Sequence, residues 1–187
     1  MSDRSTTEGT PPAATQEADD QTYTDRPALL VQLLRDHVEA RRKLSALEAE
    51  VDRIAQYHKP DDAALGAAMA YFASYMALQH HPTEDLVYGA LTRRAPSRAA
   101  EIDKIATEHG EVHALFTQCE EAARRLLADP EGMRSHFCRV LRSFIAFERH
   151  HIRREEGAFF LYAREHLTPG DWESIAADAG QFAKLPR

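Results

Sequence analysis

Apolar residues recur at spacings of three and four along four long stretches of this chain, the period of an amphipathic helix. In each stretch a histidine falls where the series calls for another core residue. The first carries Leu30, Leu33, Ala40, Leu44, Leu47, Val51 and Ile54, and His37 fills its gap. The second runs Leu65, Met69, Phe72, Met76 and then His80. The third runs Ile102, Ile105, Val112, Phe116, Cys119, Ala123 and Leu126, with His109 in its gap. The fourth runs Phe137, Val140, Phe144, Phe147 and Ala158, with His151 in step. No stretch alternates with period two, so the pattern predicts an all-α fold.

Prolines and capping residues divide the helices. Helix one is predicted over 27–57, helix two from Asp61 or Asp62 to 93, helix three from a Ser97 cap to 128, and helix four from Asp129-Pro130 to 166. Thr168-Pro169-Gly170 stops the fourth, and a short helix over 171–178 packs across the bundle through Trp172 and Ile175. Connections this short set neighbouring helices antiparallel, giving an up-down-up-down four-helix bundle with a short C-terminal helix. Residues 1–26 are rich in Ser, Thr, Pro, Ala and acids and read as a disordered tail. The domain assignment is thus tail 1–26, bundle 27–178 and C-terminal extension 179–187.

Burying an imidazole on each of four helices is costly unless something compensates its desolvation. His80 and His151 each have a glutamate at i+4, Glu84 and Glu155, one turn along the same face. Measured from the predicted helix ends, His37, His80, Glu84, His109, His151 and Glu155 fall in one layer about 9 Å thick at a helical rise of about 1.5 Å per residue. A metal site explains that coincidence. Imidazole and carboxylate without thiolate suit iron, zinc or manganese. Six ligands exceed one tetrahedral zinc, whereas carboxylates bridging two ions use the whole set.

His113 follows His109 by four residues and is a further candidate ligand, with a surface role equally open. His81 and His150 sit about 100° off the core stripe and read as surface groups or neighbours of the ligands; His150, five residues before Glu155, competes with His151. Pro82 lies inside helix two between His80 and Glu84, where it is expected to kink or loosen the helix. Tyr71 and Tyr75 read as packing residues.

The formal charge is -7, and much of it resides in the first 26 residues, with six acids against two arginines. The basic clusters Arg41-Arg42-Lys43 and Arg93-Arg94 are ringed by acids, so nucleic-acid binding is not expected. Two cysteines, Cys119 and Cys138, make no disulfide framework, and Cys119 reads as a small core filler. With no apolar leader and no membrane-length apolar run, a soluble cytoplasmic protein is expected, monomeric or a small homo-oligomer, with no membrane partner.

The core His of helix one, His80-x-x-x-Glu84, Glu108-His109, and His151-x-x-x-Glu155 followed by Glu156 together resemble the hemerythrin-like, HHE cation-binding family. The resemblance runs from about residue 27 to 178. It implies a non-haem di-iron centre in which Glu84 and Glu155 bridge two Fe ions, with His37 and His80 on one and His109 and His151 on the other. Oxygen-carrying members use H-x-x-x-x-D on the last helix, where this chain has H-x-x-x-E. The expected ligand is dioxygen, peroxide or nitric oxide. Three function classes remain open: binding or sensing, redox chemistry such as peroxide decomposition or iron handling, and a helical interaction module with a structural or zinc site.

Overall fold

The computed structural model describes residues 26–184, and among them every regular element is helical. α1 spans Ala28–Ala55 and buries Leu30, Leu33, Leu44, Leu47, Val51 and Ile54 along the face predicted from periodicity. It stops where Tyr57 turns left-handed, at φ 62°, and the His58 N–H reaches back to the Arg53 carbonyl at 2.9 Å. That six-residue closure is a common helix terminator.

The Asp61 carboxylate then caps α2, Asp62–Tyr71, by accepting the N–H groups of Ala63 and Ala64, each at 3.0 Å. Above it the chain widens into a π-helical segment, Phe72–His80, before α3, His81–Arg94. Pro82 accounts for the widening. It offers no N–H to the Leu78 carbonyl and its ring crowds that oxygen, so the tighter ladder cannot run through it. The His81 N–H bonds instead to Met76, five residues back. The irregularity expected at Pro82 is therefore present as a wide turn upstream of it.

The third helical stretch departs from expectation. A 3-10 turn, Pro96–Arg98, contains Ser97, which caps nothing. α4, Ala99–Ala106, is separated from α5, Glu108–Ala128, by a break at Thr107, whose hydroxyl bonds back to the Lys104 carbonyl at 2.9 Å and competes with the helical ladder. The fourth stretch opens at Arg134 rather than at Asp129, because the Asp129 carboxylate captures the Gly132 N–H at 2.9 Å and holds a turn there. α6, Arg134–Arg154, passes into a second π-helical segment, Glu155–Phe159, and then α7, Phe160–His166. α8, Pro169–Ala179, starts from a reciprocal capping box between Thr168 and Asp171 and buries Trp172 and Ile175, packing on α3.

α1 packs on α2 and α6, and α5 on α6. Two apolar clusters fill the interior. One gathers Leu44, Leu47, Phe72, Phe116, Leu141 and Phe144; the other gathers Leu33, Val87, Leu91, Ile105, Phe159 and Trp172. Between them lies a buried polar layer holding His37, His80, Glu84, His109, His151 and Glu155, as the helix arithmetic anticipates. On the fourth stretch the fully buried line runs Phe137, Leu141, Phe144, Glu148, His151, and Phe147 is only half-buried. The apolar residue that the pattern favours there thus yields the core position to an acid. Cys119 and Cys138 are unpaired and buried, and burial pushes the Cys119 thiol up to about 12. The expected tail lies outside the described residues apart from Arg26, and of the 179–187 extension the structure describes 179–184. No helix among the described residues is long and apolar enough to cross a membrane.

Leu47 is fully buried between the helices and Leu127 is 85% exposed. Leu47→Ala is expected to cost about 2–5 kcal/mol in urea denaturation through lost burial and a residual cavity, and Leu127→Ala less than about 0.5 kcal/mol. Equal costs would contradict this placement of the core.

Candidate metal centre

Four imidazoles and two carboxylates from the four helical stretches converge between the apolar clusters. Glu84 and Glu155 are fully buried and set their oxygens on different histidine pairs. Glu84 Oε1 lies 3.2 Å from His80 Nε2 and 3.4 Å from His37 Nε2, while its Oε2 lies 3.4 Å from His109 Nε2. Glu155 Oε2 lies 3.3 Å from His37 Nε2, while its Oε1 lies 3.4 Å from His109 Nε2 and 3.2 Å from His151 Nε2. The Nε2 atoms of all four histidines, both Glu84 oxygens and Glu155 Oε2 make no hydrogen bond. Buried polar atoms are rarely left so, and a cluster of unsatisfied nitrogen and carboxylate donors fits a cation. Three overlapping sets bring their ligand atoms within 4.8 Å of one another: His37, His80 and Glu84; Glu84, His109 and Glu155; and His81, His109 and His151.

The opposite ring nitrogen of every histidine is held by a carboxylate from another helical stretch. His37 Nδ1 meets Glu156 Oε1 at 3.1 Å, His80 Nδ1 meets Asp36 Oδ2 at 3.2 Å, His109 Nδ1 meets Asp85 Oδ1 at 2.8 Å, and His151 Nδ1 meets Glu108 Oε2 at 3.1 Å. The first stretch thus serves the second, the second the third, the third the fourth, and the fourth the first, so the pairs close a ring. A carboxylate on Nδ1 fixes the tautomer that turns the Nε2 lone pair inward, as in carboxylate–histidine–metal triads. Arg41 bonds Glu156 and Arg154 bonds Glu108, anchoring two of the carboxylates; Gln32 donates to Asp36 at 2.8 Å.

Electrostatics reflect the crowding of ionisable groups. Burial disfavours a charged His37, but Glu155, Glu156 and Glu84 outweigh it and hold the imidazole well above its ordinary value. Against burial, Asp85, Glu155 and Glu84 do the same for His109. His80 and His151 are also raised, against burial, chiefly by Glu84 and Glu155 respectively. Burial opposes ionisation of Glu84 and Glu155, yet His80 and His151 lead the imidazoles that keep both well below the usual carboxylate range. Two groups stand apart. His81 is pushed well below its ordinary value by burial and the neighbouring His109, and Glu148, fully buried with no hydrogen bond to either oxygen, is raised by burial. Tyr88 donates to Glu155 Oε1 at 2.8 Å and stacks on Phe159 with ring centroids 3.8 Å apart.

The structure thus gathers His37, His80, Glu84, His109, His151 and Glu155 at one place. It leaves His113 exposed beside them and outside all three sets, and His150 exposed. His81 is not the surface group that simple periodicity suggests. It is buried and stacked on His109 with centroids 4.4 Å apart. The π-helical segment explains this, because an extra residue in one turn rotates the downstream helix by about 100° and brings His80 and His81 inward together. Asp36, Asp85, Tyr88 and Glu148 escape notice in the sequence. The first two carried a signal, since each helical stretch has an acid next to a candidate ligand: Asp36-His37, Glu84-Asp85, Glu108-His109 and Glu155-Glu156. Glu148 carried another, as the first member of the E-x-x-H pair Glu148–His151.

No curated protein and no solved structure matches the chain. The profile of the Hemerythrin HHE cation binding domain matches residues 28–163, a span that includes α1, both π-helical segments and all six converging candidate ligands. By that match over most of its length, and with a buried histidine–glutamate cluster that could hold a cation, the chain belongs to the hemerythrin HHE cation-binding family.

Proposed function

We propose that this protein holds two iron ions, one at His37 and His80 and one at His109 and His151, with Glu84 and Glu155 shared between them. Its role is to bind or react with dioxygen, peroxide or nitric oxide. The observation that carries the reading is that both glutamates divide their two oxygens between the two histidine pairs. Two cations at close range repel strongly in a low-dielectric interior, and two shared anions are the natural compensation. A di-iron centre supplies reversible one-electron steps and open coordination positions for a small ligand.

The chain's own residues set the conditions for that chemistry. Asp36, Asp85, Glu108 and Glu156 keep four imidazoles oriented and electron-rich. Tyr88 restrains one oxygen of Glu155. The apolar clusters on either side keep bulk water from the layer. Burial raises Glu148, one turn from His151, and so favours its protonated form beside the site. The domain reading of 27–178 as one up-down-up-down bundle is supported by the ring, which makes consecutive helices neighbours. The free cysteines support a reducing, cytoplasmic setting.

The deciding experiment is metal analysis combined with ultraviolet-visible spectra of anaerobically reduced protein exposed to air and then to peroxide. About two irons per chain with a visible band that responds to oxidant is expected. One equivalent of zinc with no band would instead favour a structural interaction module.

Among variants, His37→Ala and His109→Ala are each expected to lower bound iron well below the wild-type amount, while exposed His113→Ala leaves it unchanged. Equal loss in all three would contradict the ligand set. Glu84→Gln keeps the size of the side chain but loses charge and bridging ability, so it is expected to fall to one iron or none and to lose the visible band. Retention of two irons with an unchanged spectrum would remove Glu84 from the bridging role.

Acidity supplies a third test. In metal-free protein the raised imidazoles of His37 and His109 contribute stability that is fully present below their ordinary value of 6.5 and lost as pH rises through the raised ones. The lowered Glu84 and Glu155 contribute stability that is present above 4.5 and lost as pH falls through the lowered values. These four groups favour metal-free protein between these limits, with His81, lowered, and Glu148, raised, working against them there. Ions require unprotonated imidazoles, so loading releases protons, and the thermal stabilisation from iron is expected to grow above pH 6.5. A pH-independent gain, read by differential scanning fluorimetry, would contradict the histidine set.

A further inference from the structure

One face of the cluster opens into a cavity of about 300 Å³. Its walls are apolar. Phe72, Phe116 and Phe144 meet one another with ring centroids 5.1–6.2 Å apart, and Met76 joins them. Its polar groups are His81, stacked on His109 of the cluster, His109 itself, Asp85 and the exposed His113. The Nε2 atoms of His81 and His109 make no hydrogen bond. Gly110, inside α5, also lines the cavity, and a Cβ there meets nothing within 4 Å. A glycine within a helix is disfavoured relative to alanine, and at this position it leaves the wall open.

The volume equals roughly ten water molecules at about 30 Å³ each. A diatomic ligand fills a small part of it, and aromatic walls cannot satisfy the hydrogen bonds of the water that would fill the rest. A cavity of this size, mostly apolar with a few polar groups at one end, has the anatomy of a site for an organic molecule. We propose that it binds a compact apolar molecule, aromatic or branched, carrying one hydroxyl or hydroperoxyl head, with the head at His81, whose Nε2 makes no hydrogen bond and whose ring stacks on His109. The head then faces the ion that His109 and His151 would serve, and this orientation, though not the binding itself, rests on the di-iron reading. The protein would thereby select among oxidants by their organic part.

The probe is 2-phenyl-2-propanol, the redox-inert alcohol of that class, titrated into both metal-free and iron-loaded protein carrying 13C-labelled methionine methyls. A saturable shift of the Met76 methyl is expected, with the Met133 methyl unmoved. Gly110→Leu, which fills the opening, is expected to weaken binding tenfold or more. Gly66→Leu also meets open space, on α2 and away from the cavity lining, and is expected to bind as the wild type does. If circular dichroism shows Gly110→Leu unfolded, Ala77→Leu from another wall carries the same expectation. No saturable Met76 shift, or unaltered affinity in a folded cavity-filling variant, overturns the proposal. Iron uptake without probe binding sinks this inference alone, whereas probe binding by a protein that takes up no iron sinks the di-iron reading and leaves the cavity standing.

Discussion

An imidazole can serve a cation in a protein interior only if its other nitrogen is satisfied there, and the arrangement of the helices answers to that requirement. Apolar clusters flank the layer on both sides, and the hydrogen-bond partner of each of the four Nδ1 atoms comes from protein. Each comes from a neighbouring helical stretch rather than from the histidine's own. The orientation of His80 therefore depends on where α1 lies, through Asp36, and the orientation of His37 depends on the fourth stretch, through Glu156. Packing and ligand geometry are one problem here, and helix-to-helix register is set by both.

The π-helical segments belong to the same problem. Phe72–His80 ends at the first candidate ligand of helix two, and Glu155–Phe159 begins at the last candidate ligand of helix four. A regular helix offers one inward position per turn, and the centre demands more than that at this depth. Widening a turn supplies it: His80 and His81 both reach the interior, and Glu155 is fully buried while Glu156, the next residue, bonds to His37. Helices one and three each give a single histidine to the cluster and carry no π-helical segment among the described residues.

Periodicity made much of this legible. The all-helical fold, the depth of the polar layer and its six converging groups can be read from spacing alone, because a helix converts sequence distance into position on a face. The failures have one origin, the assumption of a uniform 3.6-residue turn and of apolar residues in apolar places. His113 looked nearer the centre than His81 because the wide turn before His81 is invisible to that arithmetic. Phe147 looked like core and Glu148 drew no notice, since desolvating a carboxylate is a cost that only the surrounding histidines explain. Helix starts at Ser97 and Asp129 were misplaced because a capping residue can equally hold a turn, as the Asp129 carboxylate does with Gly132.

The ring of acids also has a sense of rotation. On the first and third stretches the orienting acid precedes its neighbouring ligand, Asp36 before His37 and Glu108 before His109; on the second and fourth it comes after, Asp85 after Glu84 and Glu156 after Glu155. One residue is about 100° around a helix, and reversing a helix reverses the direction in which that angle is counted. In the alternating bundle proposed above, the switch from preceding to succeeding would cancel the reversal, so that seen from one end all four acids would lean the same way round. On that proposal the centre would be a handed wheel, its hand written in which side of each candidate ligand carries the acid. A bundle wound in the opposite sense would turn every one of these acids away from the histidine it holds.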